Sequence, residues 1–249
     1  MEKPQTDNPE WDEPKPSLIC RRFSPLAHTD LEVYRLGMRR TLQAGPLTLS
    51  VWSSEPTEEF NHMYWGQCAR KIVQLRPVLR SVLIMGLGGG TLAWLLYQKI
   101  NPNRIVGVEL DPEVIDLGRR YFYLDAVPGL EIVQADAAEW LQTQAKGQAS
   151  STNPPRFDLI ALDLFFQDAT PPACDTAAFF AHTSALLTPG GLLSCNKVIP
   201  LPGRIDRATE YIRTRIRPSF ENVIFQANAQ VDQESNVVLY AWGKPEPKA

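Results

Sequence analysis

The stretch RSVLIMGLGGGTLAW (residues 80–94) runs from an apolar, strand-like segment into glycines 86, 88, 89 and 90, and then into an apolar, helix-compatible segment. A glycine turn between strand and helix lets the backbone approach a ligand closely, and the amino end of the helix suits a phosphate or a nucleoside-bearing group. The pattern G-x-G-G-G-T departs from the G-x-G-x-x-G dinucleotide fingerprint, because Thr91 stands where the third glycine closes the helix onto the strand. Alone, the turn does not choose between ligands, so the reading rests on what surrounds it.

Strand-like apolar runs recur at 105–110 (IVGVEL), 130–135 (LEIVQA), 157–163 (FDLIALD) and 192–198 (LLSCNKV), with helical stretches between them. This alternation predicts a doubly wound, mostly parallel sheet with helices on both faces. RIDRATEYIRTRIR (204–217) then spaces Ile205, Ala208, Tyr211, Ile212 and Ile216 as one helix face. Two further strand candidates follow, SFENVIFQANA and NVVLYAWG, and the intervening VDQES is too short for a crossover helix, so they must pair antiparallel. The predicted fold class is α/β, a doubly wound, Rossmann-like seven-stranded sheet with an antiparallel last strand. That is the arrangement of the class I S-adenosylmethionine-dependent transferases, and it differs from the six-stranded parallel dinucleotide fold.

The amino-terminal part reads differently. Residues 1–17 are rich in proline and charge and lack any period, which predicts a disordered tail. Residues 18–56 carry LEVYRLG, RRTLQAG and PLTLSVW, short strands joined by glycine turns, and so form a small β region. A helix from about Thr57 to Leu75 leads into the main domain, 57–249, which bears a polar stretch at 146–155 (KGQASSTNPP) expected to be a flexible surface insertion. With 249 residues and 44% hydrophobic composition the chain can bury one substantial core. A formal charge of −3 gives no electrostatic reason for a nucleic-acid or membrane partner. The apolar runs fall far short of the ~20 residues that span a bilayer, and MEKPQTDNPE lacks a signal-peptide core, so a cytoplasmic protein is expected. Cys20, Cys68, Cys174 and Cys195 show no CxxC pair or zinc-ligand spacing, which predicts reduced thiols and no metal.

Three carboxylates fall at the carboxyl ends of successive strands, the edge at which open α/β sheets bind ligands. Glu109 can accept hydrogen bonds from both ribose hydroxyls of a nucleoside cofactor. Asp136, followed by the small Ala137, can accept from an adenine amino group and leave room for the ring. Asp163 ends the fourth strand. Each alone could be a helix cap or a solvated loop residue; three over one glycine turn point to a site built from Gly86, Gly88, Gly90, Glu109, Asp136, Ala137 and Asp163.

From about Leu31 to Gly243 the chain resembles the spermidine synthase family, the polyamine aminopropyltransferases. The resemblance is carried by VLIMGLGGGTL, VGVELDPEVIDLGRRYF, LEIVQADAAEWL and FDLIALDLFFQDATPPACDTAAFFAHTSALLTPGGLL. It implies the seven-stranded methyltransferase fold, a small amino-terminal β domain and often a homodimer. It also implies S-adenosylmethionine or decarboxylated S-adenosylmethionine as cofactor, with Asp163 as the base or amine-orienting carboxylate. The chain departs from the family pattern at three places. The turn usually reads GGGDGG, and here Gly89 replaces its carboxylate, which removes repulsion against a cofactor carboxylate and makes ordinary S-adenosylmethionine at least as plausible a ligand. The catalytic loop usually carries a second acid, and here it reads Asp163-Leu164-Phe165-Phe166. The family's E-F-x-Y-H-E helix becomes Glu59-Phe60-Asn61-His62-Met63-Tyr64, with Tyr64 in the acid's place.

The substrate-pocket candidates are therefore His62, Tyr64, Phe166 and Asp168, the last as a displaced acid. Plainer readings compete: His62 as a structural histidine, Tyr64 and Trp65 as packing, Asp168 as a turn former. The expected activity is transfer of a group from the carbon next to a sulfonium to a small-molecule acceptor, with an amine as the candidate. A methyltransferase and a non-catalytic S-adenosylmethionine-binding protein remain as alternatives, and a nicotinamide-dependent oxidoreductase is a third, disfavoured by Thr91.

Overall fold

The computed structural model describes residues 15–55, 60, 62–150, 156–166, 169–200, 204–227 and 234–244. The amino-terminal strands β1 (Ser17–Ser24), β2 (Thr29–Leu36), β3 (Arg39–Ala44) and β4 (Leu47–Ser53) form an antiparallel meander in the order β1-β2-β3-β4. β1 begins at Ser17, inside the stretch read as tail. Its charged Arg21 and Arg22 hid the strand from an apolar-run search, yet they pair across it with Glu32 and Leu31 of β2.

The main sheet follows, with α1 (Tyr64–Leu75), β5 (Ser81–Met85), α2 (Thr91–Ile100), β6 (Arg104–Glu109), α3 (Pro112–Phe122), β7 (Leu130–Gln134), α4 (Ala137–Ser150), β8 (Phe157–Leu162), α5 (Ala177–Leu186), β9 (Leu187–Pro200), α6 (Arg204–Tyr211), β10 (Asn222–Ala227) and β11 (Glu234–Trp242). Its seven strands lie in the order β10-β11-β9-β8-β5-β6-β7. β5 to β9 run parallel, and β11 lies antiparallel between β9 and β10. The expected fold class is thus observed. α4 continues through Ser150, so residues 146–150 are helical rather than part of a surface insertion; alternation of small and polar residues there concealed the helix period. Residues 151–155 and the proposed helix start near Thr57 lie outside the described residues.

The period of two in each strand divides the core into two layers. In β5, Leu83 and Met85 face a core shared with Leu141 of α4, Phe179 and Phe180 of α5 and Ala208 of α6. Val82 and Ile84 face Cys68, Ala69 and Ile72 of α1 and Leu92, Leu95 and Leu96 of α2. Each large aliphatic side chain so buried contributes ~1.5–3 kcal/mol. A third cluster joins the meander to α3 through Leu31, Val33, Leu42, Val114, Leu117 and Phe122.

Polar contacts fix the meander's position. Arg22 pairs with Glu113 and Asp116 of α3. Asp111 caps α3 by accepting from the Glu113 N–H at 2.8 Å, and its other oxygen accepts from the Ser24 hydroxyl. Pro112 supplies a first helical residue that needs no N–H partner, which explains the Asp-Pro-Glu step. Among the described residues no helix is long and apolar enough to cross a membrane.

Strand order reverses between β5 and β8, since β6 and β7 extend to one side and β9 to the other. Such a reversal opens a crevice at the carboxyl ends of the two strands. Met85 and Leu162 are register partners there, so Gly86 and Asp163 emerge side by side.

Candidate active site

Gly86 adopts φ +81°, and a Cβ there would stand 2.1 Å from the Asp163 carbonyl oxygen. Only glycine lets the turn and the backbone at Asp163 approach so closely. The turn's donors are engaged within the protein: the N–H groups of Gly86 and Leu87 donate to the Val108 carbonyl at 2.9 and 3.1 Å, and that of Gly90 to the Leu87 carbonyl at 3.0 Å. The Gly88 N–H donates to Glu109 Oε2 at 2.8 Å and the Gly89 N–H to Ser50 Oγ at 2.6 Å. Five consecutive N–H groups are thereby withdrawn from any phosphate, so the turn fits an uncharged nucleoside wall better than a pyrophosphate. Thr91, which breaks the dinucleotide fingerprint, both donates to the Val51 carbonyl and accepts from the Val51 N–H, each at 2.9 Å. Its hydroxyl clamps the start of α2 to β4.

Glu109 Oε1 also accepts from the N–H groups of Leu110 (2.8 Å) and Asp111 (3.1 Å). Burial pushes its pKa up and the three backbone donors oppose that shift. These bonds fix the carboxylate at the β6 edge while leaving lone pairs for further donors. Asp136 uses Oδ1 to cap α4, accepting from Ala138 (2.8 Å) and Glu139 (3.0 Å) N–H groups. The plain capping reading therefore holds for one of its oxygens. Ala137 is buried in the core on the α4 and α5 side.

Asp163 is held by two side-chain donors: Trp65 Nε1 donates to Oδ2 at 3.1 Å and Asn196 Nδ2 to Oδ1 at 2.8 Å. Burial raises its pKa to about 6, against the pull of Asn196, Trp65 and, last, the Tyr64 phenol. Tyr64 is itself pushed well above the usual phenol value, first by burial and then by the Asp163 charge, so it stands there as a neutral group. A carboxylate that titrates about a unit below neutrality is suited to take a proton from a bound amine. Behind it lies a second polar layer, with Cys68 Sγ and Ser194 Oγ 3.4 Å apart and the Cys68 thiol pushed up to about 11 by burial. That thiol is a packing group rather than a nucleophile.

The structure brings together Gly86, Gly88, Gly90, Glu109, Tyr64 and Asp163. Among the described residues, no hydrogen bond joins His62 or Phe166 to the carboxylate. His62 is exposed, and its backbone carbonyl accepts from Gln67 Nε2 at 2.6 Å. Phe166 is 41% exposed and pairs by backbone with Ala169. Asp168 lies outside the described residues. At Gly89 a Cβ would meet Ser50 Cβ at 3.0 Å, its Oγ at 3.1 Å and Phe122 at 3.2 Å. The position faces β4 and α3, and a side chain there requires Ser50 or Phe122 to give way by a few tenths of an ångström. Sequence reasoning missed Asn196 altogether and assigned Trp65 to packing. Asn196 had a usable signal, since Cys195 is the register partner of Leu162 and an amide follows it at the level of Asp163. Among the described residues no three His, Cys, Asp or Glu side chains form a metal-holding group.

A separate cleft of about 320 Å³, lined by residues including Arg156, Leu187, Thr188, Phe220 and Lys244, opens at the opposite edge of the sheet. The candidate residues lie instead at the carboxyl edge.

Residues 68–231 match the family model described as the spermine/spermidine synthase domain. The chain belongs to this family. It is 31% identical over 121 residues to a polyamine aminopropyltransferase of Vibrio vulnificus, covering 48% of this chain and 38% of that protein. It is 25% identical over 174 residues to an eEF1A lysine and N-terminal methyltransferase of Mus musculus, covering 68% of this chain and 23% of that protein. The chain thus spans well under half the length of these curated relatives. A probable spermidine synthase from Corynebacterium glutamicum superposes with a TM-score of 0.70 at 21% identity, over 92% of this chain and 80% of that one, a likeness of fold. The relatives named are transferases, of aminopropyl and of methyl groups, and the chain is a divergent member of an S-adenosylmethionine-related transferase family.

Proposed function

We propose that this chain binds S-adenosylmethionine, or its decarboxylated form, over the glycine turn and transfers a carbon group from the sulfonium to an amine held by Asp163. The observation that carries the reading is the buried Asp163 carboxylate, fixed by Trp65 and Asn196 and packed by its own backbone against Gly86. Glu109 stands two strands away at the same edge, ~10 Å across the sheet, a separation that matches the reach from a ribose to a reacting carbon. The withdrawn N–H groups of the turn favour a cofactor without phosphates there.

When bound, such a cofactor supplies an activated carbon and its leaving group. The residues of this chain have the remaining work. Glu109 receives the ribose hydroxyls, and the second oxygen of Asp136 is available to an adenine amino group. Asp163 draws an ammonium into the crevice, accepts a proton from it and leaves a neutral nitrogen lone pair aimed at the carbon. Trp65 and Asn196 keep the carboxylate from rotating, which preserves the alignment that accounts for much of such a rate enhancement. A base of this kind contributes ~10²–10⁴-fold. The lack of an acid at Gly89 favours ordinary S-adenosylmethionine over the decarboxylated form.

The test is a thermal-shift and calorimetric panel with S-adenosylmethionine, decarboxylated S-adenosylmethionine, S-adenosylhomocysteine, methylthioadenosine and NAD. Ligand at a hundred times its Kd adds ~2.7 kcal/mol of stability, readily seen in a melt. Binding of the sulfonium nucleosides and not of NAD is expected. Binding of NAD alone, or of none of the five, overturns the proposal.

A further inference from the structure

Taking the proposed cofactor reading as its basis, we infer that the acceptor is a monoamine, one primary amine on an apolar stem, rather than a diamine. The argument is a count of charge at the crevice. Among the described residues, the groups that set the ionisation of Asp163 are its burial and three neutral donors, Asn196, Trp65 and Tyr64, with no second charged side chain among them. Among the described residues, two other acids at this end of the sheet are already engaged. Glu109 is tied to three backbone N–H groups at the far side of β5. Asp175, which follows the catalytic loop, is paired with the buried Lys197 at 2.9 Å and also accepts from the Tyr211 hydroxyl at 2.6 Å. The three residues that follow Asp163 are Leu164, Phe165 and Phe166, so the loop itself adds apolar surface.

Such a site neutralises one ammonium. A second one, four carbons along, would be removed from water without a counter-charge, and an aromatic face recovers only part of that cost. An alkyl stem in the same place gains from leaving water. A further acceptor position agrees with a single amine. The Asn196 side-chain oxygen is buried and has no hydrogen-bond donor, although the amide nitrogen of the same side chain is bonded to Asp163. A buried acceptor left without a donor is costly, and an amine on Asp163 that reaches it supplies the missing N–H.

The experiment uses a matched pair, n-pentylamine and putrescine, which differ in whether the far end is a methyl or an ammonium. Binding of each to the full chain is measured by calorimetry at about pH 8 with S-adenosylhomocysteine held saturating, and group transfer from S-adenosylmethionine is followed by mass spectrometry. The expected result is tenfold or greater preference for n-pentylamine in binding, with Phe166→Asp reducing that ratio. Equal or tighter binding of putrescine overturns the inference, and loss of that binding in Asp168→Asn would identify the acid responsible. Binding of neither amine by a chain that does bind the nucleoside also overturns it, while leaving the cofactor reading intact. Failure of the nucleoside itself to bind removes the proposed function first and is seen before any amine is added.

Discussion

Replacing Asp163 by asparagine removes a buried carboxylate whose ionisation opposes folding, and the sign and size of the effect follow from its surroundings. Burial lifts the pKa from an ordinary 3.8 to about 6. The native state therefore holds the proton more tightly than the unfolded chain. The stabilisation this brings is fully present below about pH 3.8 and is lost as pH rises through about 6. The gap between the two values corresponds to ~3 kcal/mol. Asparagine carries no charge at any of these pH values. It faces two donors, Trp65 Nε1 and Asn196 Nδ2, with a single carbonyl oxygen, so it also loses about one hydrogen bond. That loss does not depend on pH. Urea unfolding of both proteins at about pH 4 and about pH 7.5 then isolates the charge: the stability of the variant relative to the wild type should improve by roughly 2 kcal/mol between the two conditions, less than the full gap because the unfolded carboxyl is already largely ionised at pH 4. With an accepted amine, wild-type turnover should rise through a limb near pH 6 as the carboxylate forms. The variant should lose ~10²-fold or more in turnover while its cofactor affinity stays within a few-fold. A stability gap that is the same at both pH values would refute the burial argument, and near wild-type turnover in the variant would refute the role as base.

Glu109→Gln should weaken nucleoside binding by ~1.5–3 kcal/mol for each charge-assisted bond lost, read by calorimetry; unchanged affinity would remove Glu109 from the site. Thr91→Val keeps the shape of the side chain and deletes both bonds to Val51, so it should cost ~1–3 kcal/mol in denaturant unfolding and speed hydrogen exchange at the Val51 amide. An unaltered exchange rate there would mean that the clamp does not hold. Gly89→Asp must displace Ser50 or Phe122 and should destabilise the fold by ~1–3 kcal/mol without creating a preference for decarboxylated S-adenosylmethionine. An unperturbed melt together with such a preference would show that the turn can accommodate the acid after all.

The sheet was legible because its strands are continuous apolar runs, and burial on both faces leaves few other sequences for such positions. The antiparallel final strand followed from loop length alone. β1 was not legible, since its charged residues are satisfied across the meander and by α3, long-range contacts that no local period records. At the site, Gly86, Glu109 and Asp163 were visible from strand-end position. Trp65 and Asn196 were not, because their value lies in reaching one carboxylate from two directions, 98 and 33 residues away in sequence. Gly89 was legible as a missing acid, but not as a position packed tightly against Ser50 of β4.

Two of the three family acids that this chain lacks, those at Gly89 and Phe166, bear differently on its chemistry. At Gly89 Ser50 and Phe122 pack tightly against the turn, so restoring an acid there requires those neighbours to shift. At Phe166 the ring is 41% exposed, so the position remains open to change. A second carboxylate near Asp163 would raise its pKa beyond what burial already does, because two like charges in one crevice resist joint ionisation unless a bound dication neutralises both. In a site with a diamine, the distal ammonium performs that neutralisation, and acid and substrate depend on each other. Without the distal ammonium, a second acid would only keep Asp163 protonated near neutral pH and disable it as a base. On the proposed reading, an apolar residue at position 166 adds no second acid to the loop that carries Asp163, which accords with a singly charged amine and leaves the one carboxylate free to ionise.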